Sequence, residues 1–462
     1  MASNKIISKL RTLREYALDK GARVHFEWNT VDSRLVRFAN SAISLNTTEH
    51  LTILDVSVYG DDKLASTQSI VDENDLDAMK AAIDKAIEML EFAVPLTYRP
   101  TLPVIEKTTV SEEVYDPEVE TLSNEDIVAF VNEAVNGLET DDIVLSGNFS
   151  SGVTMNASIS TATPEVVFTR KTDIGVTLVL SSVERKWEVI AEQFVGFKRD
   201  LDAKALYDRF TWLVDLYTTL PEERLPEGPY RVVLGPAAIA EYLGFLGWIG
   251  YSAGAMKRGF SMFKEDDIGK KVMSEQFTLI EDPTLLATLP TPVDKFGRER
   301  EKSVIFDRGV LKGFIWQQQA ADEFGGTPTG HDIDNLALAL QGGDVDVALI
   351  QDFAELPRDR DILYVPYLHY ANIVNPTEGL VTGVSRFGAL YLKSDGTITL
   401  PYNVRFTERL DELFGDKLVW LSKNLVPYGS SSSYFGRDQY AALVPALACF
   451  DNVSVEISNE SF

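Results

Sequence analysis

Five polar side chains stand in largely apolar, strand-like sequence toward the C-terminal end of the chain. They are His369, Asn372, Arg386, Asn403 and Arg405. A guanidinium among strands must satisfy five N–H donors, which a carboxylate, backbone carbonyls or a phosphate can do. Such side chains could line a groove that holds peptide backbone or a peptide carboxylate, or form part of a subunit interface. A structural ion pair for each arginine and a hydrogen-bonded histidine near the core are the simpler alternatives, and both stay open.

The histidines and the cysteine argue against a metal centre built by this chain. A zinc site needs several histidine, cysteine or carboxylate ligands at suitable spacing. The histidines are His25, His50, His331 and His369, and no two of them are spaced as ligands. Cys449 is the only cysteine and sits in an apolar run, so we expect a buried, inert thiol. We predict no metal ligands and no catalytic residue in this chain.

One histidine lies in a glycine-rich, acidic stretch. His331 follows Gly330 and precedes Asp332 and Asp334. A role in binding a metal or an anion is one interpretation, and with it a homodimeric hydrolase. A solvated loop histidine among acidic neighbours is the simpler interpretation, and we expect it here.

The stretch from Tyr364 to Thr407 contains the elements that must position the polar side chains. Segments rich in β-branched and aromatic residues alternate with turn signals. Among these signals, Asp395-Gly396 predicts a hairpin between Ala389–Lys393 and Thr397–Leu400. The sheet built from these segments would frame the candidate site.

The order of helix and strand patterns along the chain predicts an α+β fold. In this fold, N-terminal antiparallel sheet regions covered by helices precede a β-rich, barrel-like C-terminal domain. Helices are predicted at Ser3–Lys20, Asp72–Phe92, Asp202–Tyr217 and Pro236–Trp248, and from Ser123 to about Leu138. Strands are predicted at Arg23–Trp28, Arg34–Ala39, Leu51–Tyr59, Leu64–Ile70, Asp142–Phe149, Gly152–Ile159, Glu165–Arg170, Gly175–Leu180 and Trp187–Phe194. We expect an N-terminal domain over residues 1–93, a linker over 94–122, a middle α+β domain over 123–220 and the β-rich domain over 221–462.

The composition restricts the partners and the location of the protein. Lys plus Arg total 43 and Asp plus Glu total 70, so the formal net charge is −27. This charge argues against nucleic-acid binding, which needs clustered cations. A single cysteine suits a reducing compartment, and the N-terminal sequence has no apolar run typical of a secretory signal, so we expect a cytoplasmic protein. The apolar segment Gly235–Met256 contains Glu241 and several glycines, which favours a buried helix and a loop over a membrane span.

Three short motifs stand among the polar residues. They are His-Tyr-x-Asn-x-Val-x-Pro from His369, Thr-Gly-x-x-Arg-x-Gly from Thr382 and Asn-x-Arg-Phe-Thr from Asn403. In this order they resemble the C-terminal half of the TldD/PmbA family, historically called modulators of DNA gyrase. The resemblance covers nearly the whole chain, and it is strongest over Tyr364–Thr407 and weakest near Val94–Pro117.

The resemblance implies a zinc-dependent peptidase, with one departure. Catalytic members of the family carry a His-Glu pair, and a second His five positions after the first, on a helix that follows a strand end. If the strand ends are matched, these ligands fall near Gly244-Phe245 and Ile249, none of which can bind zinc. The departure resembles the PmbA or TldE-like subunits of the family, which lack the zinc motif and pair with a TldD subunit that has it.

The resemblance therefore leads us to expect the non-catalytic subunit of a TldD/TldE-type zinc metallopeptidase that processes extended or unfolded peptides. The zinc would belong to a TldD-like partner in a heterodimer, although a homodimer stays open. Two other classes also stay open. They are an independent metal-dependent hydrolase acting as a homodimer, and a peptide-binding adaptor without protease activity.

Overall fold

The computed structural model of the chain describes residues 2–331, 336–432 and 437–458. It has a mixed α+β fold, with an N-terminal antiparallel sheet covered by helices and a C-terminal sheet that curls into a half-barrel. The predicted fold class is confirmed.

The N-terminal sheet is built from long strands. They are β1 (Val24–Ala39), β2 (Ala42–Tyr59), β3 (Leu64–Ile70), β4 (Thr109–Ser111), β5 (Ile143–Ser160), β6 (Thr163–Ser182) and β7 (Glu188–Val195). Their order is β3-β2-β1-β5-β6-β4, with β7 also paired to β6. Strands from both sides of the predicted linker at 94–122 thus share one sheet, and the predicted domain boundaries stay a prediction.

The predicted N-terminal strands were too short. Arg23–Trp28 and Arg34–Ala39 belong to one strand, β1, which pairs with β2 on one side and with β5 on the other. The largely polar segment Asn29–Ser33 between them stays extended because both neighbouring strands complete its backbone hydrogen bonds, which outweighs weak strand propensity. The predicted pair Gly175–Leu180 and Glu165–Arg170 is likewise one strand, β6.

Helices cover this sheet. They are α1 (Ala2–Asp19), α2 (Leu76–Phe92), α3 (Pro117–Glu120), α4 (Asn124–Ala134) and α5 (Ala203–Thr219). Ser123 and Asp126 form a capping box at the start of α4, and Asp202 caps α5. Asp75 caps α2, which therefore begins four residues later than predicted.

The C-terminal half-barrel combines short strands in a wide sheet with a second, smaller sheet. The wide sheet contains β8 (Glu222–Glu223), β9 (Gly228–Leu234), β14 (Ile362–Val365), β15 (Tyr367–Asn375), β16 (Leu380–Arg386), β17 (Leu390–Leu392), β18 (Ile398–Pro401), β19 (Val404–Arg409), β20 (Leu418–Leu421) and β23 (Ala448–Ile457). The smaller sheet contains β10 (Leu279–Glu281), β11 (Ser303–Asp307), β12 (Val310–Leu311), β13 (Leu338–Leu340), β21 (Leu425–Ser432) and β22 (Asp438–Pro445). β17 and β18 pair across Asp395-Gly396, which confirms the predicted hairpin.

The C-terminal helices are short except for the first. They are α6 (Pro236–Ile249), α7 (Ala253–Lys257), α8 (Gln318–Phe324), α9 (Ile350–Glu355) and α10 (Leu410–Leu413). α6 follows strand β9 and ends at Gly250, as predicted for a buried helix and a loop. Across the three described stretches, the helices are all too short or too polar to cross a lipid bilayer.

One face of β6 and β7 is turned toward the C-terminal half of the chain. It carries Lys171, Asp173 and Thr177 on β6, and Glu188 and Glu192 on β7, and we call it the inner face. The register pairs Thr177 with Glu192, so these polar positions share one side of the sheet. The opposite side packs into an apolar core that also holds residues of the C-terminal sheet.

Candidate functional site

The predicted polar residues lie on three neighbouring strands, β15, β16 and β19. His369 is opposite Val384, which in turn is opposite Arg405. Asn372 is opposite Thr382, two residues from Val384 along β16. Because directly opposite residues of antiparallel strands share a face, His369, Asn372 and Arg405 lie on one side of the sheet.

An irregularity in β15 keeps the two polar residues of that strand on the same side. The register shifts between His369 and Asn372, and Tyr370 inside this segment has a φ of 50°. Residues three positions apart would lie on opposite faces of a regular strand, and the extra residue restores the match. Tyr370 is 78% exposed.

Arg386 joins this face to the inner face of the N-terminal sheet. Its Nε and Nη2 donate to Oε2 of Glu188 at 3.0 and 2.8 Å. Its Nη1 lies 3.0 Å from Nδ1 of His369. Desolvation and the positive charge of Arg386 lower the pKa of His369, so the neutral ring presents Nδ1 as an acceptor. Arg386 thus forms the ion pair that the sequence left open, and a role in peptide binding stays a prediction.

The other predicted residues are less closely linked. Arg405 donates from Nη1 to the hydroxyl of Thr382 at 3.1 Å. Asn372, opposite the same threonine, is exposed, and Asn403 is buried directly before β19. The structure brings His369 and Arg386 into contact and places Asn372 and Arg405 beside Thr382.

His331 contradicts the expectation of a solvated loop histidine. It is 6% exposed, and its Nε2 lies 3.1 Å from both Oε2 of Glu281 and the carbonyl oxygen of Glu301. Glu281 is itself buried and paired with Arg300. The local sequence could not reveal this partner, because Glu281 lies 50 residues earlier in the chain. Asp332 and Asp334 lie outside the described residues.

Helix α6 presents an open face where the family resemblance would place zinc ligands. A Cβ added at Gly244 would meet no atom within 4 Å, and Trp248 on the next turn is 60% exposed. Glu241 and Phe245 complete this face, whereas Ile249 is buried in the core. A glycine, a phenylalanine and a buried isoleucine do not fit zinc. Among residues 2–331, 336–432 and 437–458, no three histidine, cysteine or acidic side chains are grouped as a metal site.

The inner face also forms a buried polar contact with the C-terminal half, which we call the seam. Asp173 receives Nε and Nη2 of Arg437 at 2.9 and 2.5 Å, and Arg437 donates from Nη1 to Ser150 at 2.8 Å. Lys171 donates to the carbonyl oxygen of Leu289 at 2.5 Å. Burial lowers the pKa of Lys171 to about 7. The seam therefore holds charges whose polar partners are also protein groups.

Beside the seam lies a cavity of about 1320 Å³, which no sequence pattern predicted. Its walls come from the inner face, helix α5, the start of α6, and strands β15 and β21. Glu192, Tyr367 and Tyr428 face it together with Arg209 of α5. Burial raises the pKa of Glu192 to about 7, against the opposing charge of Arg209.

Sequence reasoning missed Glu192 because its surroundings come from distant segments. Within Trp187–Phe194, Glu192 taken alone looks like an ordinary outward-facing strand residue. Tyr428, whose hydroxyl lowers the pKa of the carboxylate, lies on a strand more than 200 residues later. The one available signal was a second acid, Glu188, four positions earlier on the same face.

Known proteins share both the sequence of the C-terminal half and the fold. Residues 227–449 match the model of the PmbA/TldA metallopeptidase C-terminal domain. A metalloprotease of Methanocaldococcus jannaschii is 28% identical over 107 residues, 23% of this chain and 24% of that protein. The chain thus matches about a quarter of the length of such curated relatives.

Solved structures extend the likeness over the whole chain. TldE from Thermococcus kodakarensis has a TM-score of 0.75 at 17% identity and covers 98% of this chain and 100% of its own. A protein of Thermotoga maritima described as a modulator of a DNA gyrase has a TM-score of 0.74 at 15% identity, over 96% of this chain and 98% of its own. At these identities the likeness shows a shared fold. The match over residues 227–449 supports a relation of the C-terminal half to the TldD/PmbA family, and the whole chain shares the fold of TldE.

Proposed function

We propose that this chain is a TldE-like, non-catalytic subunit of a zinc metallopeptidase whose zinc belongs to a TldD-like partner. This proposal rests mainly on helix α6, where Gly244, Phe245 and Ile249 lie near the positions of the family's zinc ligands. The face around Gly244 is nevertheless open, so a partner chain could pack against it. The metalloprotease named among the relatives supports the peptidase class.

The open face of α6 is the surface that we assign to the partner. Trp248 exposes 60% of its surface, and Phe245 is half-buried beside it. Exposed tryptophan on a rigid helix is a typical centre of a protein interface, because burying it on binding removes a large apolar area from water. A zinc-bearing chain docked there would close a chamber against this helix.

The peptide is assigned to the edge of the half-barrel. β15 stands at one end of the strand order of the wide sheet, so its outer backbone groups are available for an added strand. An extended peptide paired there would gain main-chain hydrogen bonds that do not depend on its sequence. The exposed side chains of Tyr370 and Val374 border this edge, and Asn372 lies between them. Processing of extended peptides in the cytoplasm is the role that this arrangement supports.

The test is co-purification with a zinc-bearing TldD-like chain from the same genome. We expect cleavage of an unfolded peptide by the pair, no cleavage by this chain alone, and no stoichiometric zinc in it. Trp248→Ala should weaken the pair by about tenfold or more, as removal of an interface centre does. Phe92→Ala is the matched control, because Phe92 is 85% exposed at the end of α2, away from α6.

Three outcomes would point elsewhere. About one zinc per isolated chain, with cleavage activity, would indicate the independent hydrolase. Peptide binding without any effect of a zinc-bearing partner would indicate the adaptor. Equal weakening by Trp248→Ala and Phe92→Ala would remove α6 from the interface.

A further inference from the structure

The cavity beside the seam has the size and the composition of a ligand site. Its volume of about 1320 Å³ is well above that of packing defects. Apolar side chains form much of the wall, among them Leu45, Phe194, Leu349 and Val426. Known small-molecule sites combine such walls with a few placed polar groups.

One polar group of this wall is the Glu192 carboxylate. The hydroxyls of Thr177 and Tyr428 lower its pKa, which means that they favour its ionised form. Both lie on strands, β6 and β21, so their positions are fixed by the sheets. Part of the Glu192 surface remains open toward the cavity. The carboxylate therefore lies in a fixed environment and is accessible from the cavity.

Several of the other charges around the cavity already have partners. Lys204 pairs with Asp208, and Asp202 accepts the Ala205 N–H as the cap of α5. Arg209 donates from Nε to the carbonyl oxygen of Ile190 at 3.0 Å. By contrast, the ion pairs found within the described residues do not include Glu192. A cation in the cavity could therefore pair with this carboxylate.

We propose that this cavity binds a primary amine with an apolar chain, whose ammonium group pairs with the Glu192 carboxylate. An ammonium has three donors and fits a carboxylate flanked by hydroxyls. The rings of Tyr367 and Tyr428 on the same wall would contribute cation–π attraction. The amine could be the N-terminus of a peptide with an apolar first residue, or a free alkylamine. The inference concerns this chain alone and does not depend on its role as a subunit.

Three probes separate these sources by calorimetry on the isolated chain. Leucinamide offers an ammonium beside an apolar side chain, N-acetyl-leucinamide lacks the charge, and hexylamine lacks the peptide group. Binding of leucinamide over the acetylated compound supports the inference with a peptide N-terminus as the source. Binding of hexylamine but not leucinamide supports it with a free amine as the source.

Two variants test the residue. Glu192→Gln should weaken amine binding at pH 8 by about tenfold or more, because a neutral amide cannot pair with the cation. Asp208→Asn is the matched control: it removes one negative charge from the same cavity wall, and the affinity should stay within about twofold because an exposed charge is screened. Equal weakening by both variants would attribute binding to the overall negative charge and overturn the site.

The pH dependence offers an independent readout. The groups facing Glu192 are Thr177, Arg209, Tyr367 and Tyr428, and Glu192 is the one expected to change charge near neutrality. Affinity for hexylamine, which stays protonated over this range, should rise by about tenfold between pH 6 and pH 8 as the carboxylate ionises, and the leucinamide data are compared after correction for its α-amino group, which loses its proton near pH 8. Tyr428→Phe removes a hydroxyl that favours the ionised carboxylate, so the rise should move to higher pH while hexylamine binding at pH 9 is retained. Equal binding of the acetylated compound, or an affinity that does not change with pH, would overturn the inference.

Discussion

Two acids of the inner face, Asp173 and Glu192, stand in adjacent strands and have opposite surroundings. Thr177, the register partner of Glu192, is four residues from Asp173 on β6, a distance of about 13 Å along a strand. Asp173 is fully buried, and its carboxylate accepts hydrogen bonds from Nε and Nη2 of Arg437. Glu192 faces a cavity, and the charge of Arg209 and the hydroxyls of Thr177 and Tyr428 favour its ionised form.

The difference shows how burial of charge can indicate either structure or function. A buried carboxylate that accepts hydrogen bonds from protein donors, like Asp173, stabilises one arrangement of the N-terminal and C-terminal halves of the chain. A buried carboxylate that faces open volume is costly to keep ionised, which its raised pKa reflects. Such a group persists in a folded protein most readily where a ligand supplies the missing partner. The same face of one sheet therefore holds a structural contact and a candidate binding site.

The largest expected effect comes from breaking the seam. Asp173→Asn removes the carboxylate charge from the buried pair with Arg437, and removal of one partner of a buried pair costs about 3–5 kcal/mol of the free energy of unfolding. Urea unfolding followed by circular dichroism measures it. Asp208→Asn, which breaks an exposed pair with Lys204, should cost about 1 kcal/mol or less. Similar small losses for both variants would erase the contrast between the seam and the surface.

Glu192→Gln should have the opposite sign at high pH. The folded state raises the pKa of Glu192 to about 7 from 4.5, so the folded chain binds the proton more strongly than the unfolded chain does. Stability from this group is therefore present below about pH 4.5 and lost as the pH rises toward 7. The glutamine variant should be more stable than the wild type by about 1–3 kcal/mol at pH 8, since one pKa unit is worth about 1.4 kcal/mol and part of the carboxylate is solvated.

Thermal unfolding of both proteins from pH 4 to pH 9 checks this sign. The two curves should converge at low pH and separate above neutrality. A glutamine variant less stable than the wild type at pH 8 would mean that Glu192 is satisfied by the protein, like Asp173. That result would leave the cavity without an unpaired acceptor.

More of the fold than of the candidate site could be predicted from the sequence. Helices followed from local signals, such as the capping box of Ser123 with Asp126, and the hairpin followed from Asp395-Gly396. Strand lengths in the N-terminal sheet did not follow. β1 runs through polar residues because β2 and β5 complete its hydrogen bonds, and such pairing is not visible in one segment.

The candidate site was predictable where its residues are close in sequence. His369 and Arg386 belong to paired strands of a single stretch, and their side chains are in contact. The acid that Arg386 binds, Glu188, lies 198 positions away, and nothing local identified it. The cavity is lined by many segments that lie far apart in the sequence, so no single pattern contained it.

The smallest effect is expected at Arg386, which lies between the two extremes. Its pair with Glu188 is bidentate in donors, but the side chains are 31% and 28% exposed, so water already screens the attraction. Arg386→Ala should therefore cost about 1 kcal/mol or less in unfolding free energy. It should also raise the pKa of His369 toward its usual value, since a neighbouring positive charge is removed. Titration of the His369 ring by NMR measures this shift.

Arg386→Lys separates charge from geometry at the same position. Lysine keeps the positive charge but cannot donate to Glu188 and reach His369 in the fixed plane of a guanidinium. If the pair acts through charge, the pKa of His369 stays low in the lysine variant and stability is unchanged. If the planar contact matters, the lysine variant resembles the alanine variant in both measurements. A loss of about 3–5 kcal/mol with alanine would instead place Arg386 with the seam, as a buried pair that joins the two halves of the chain.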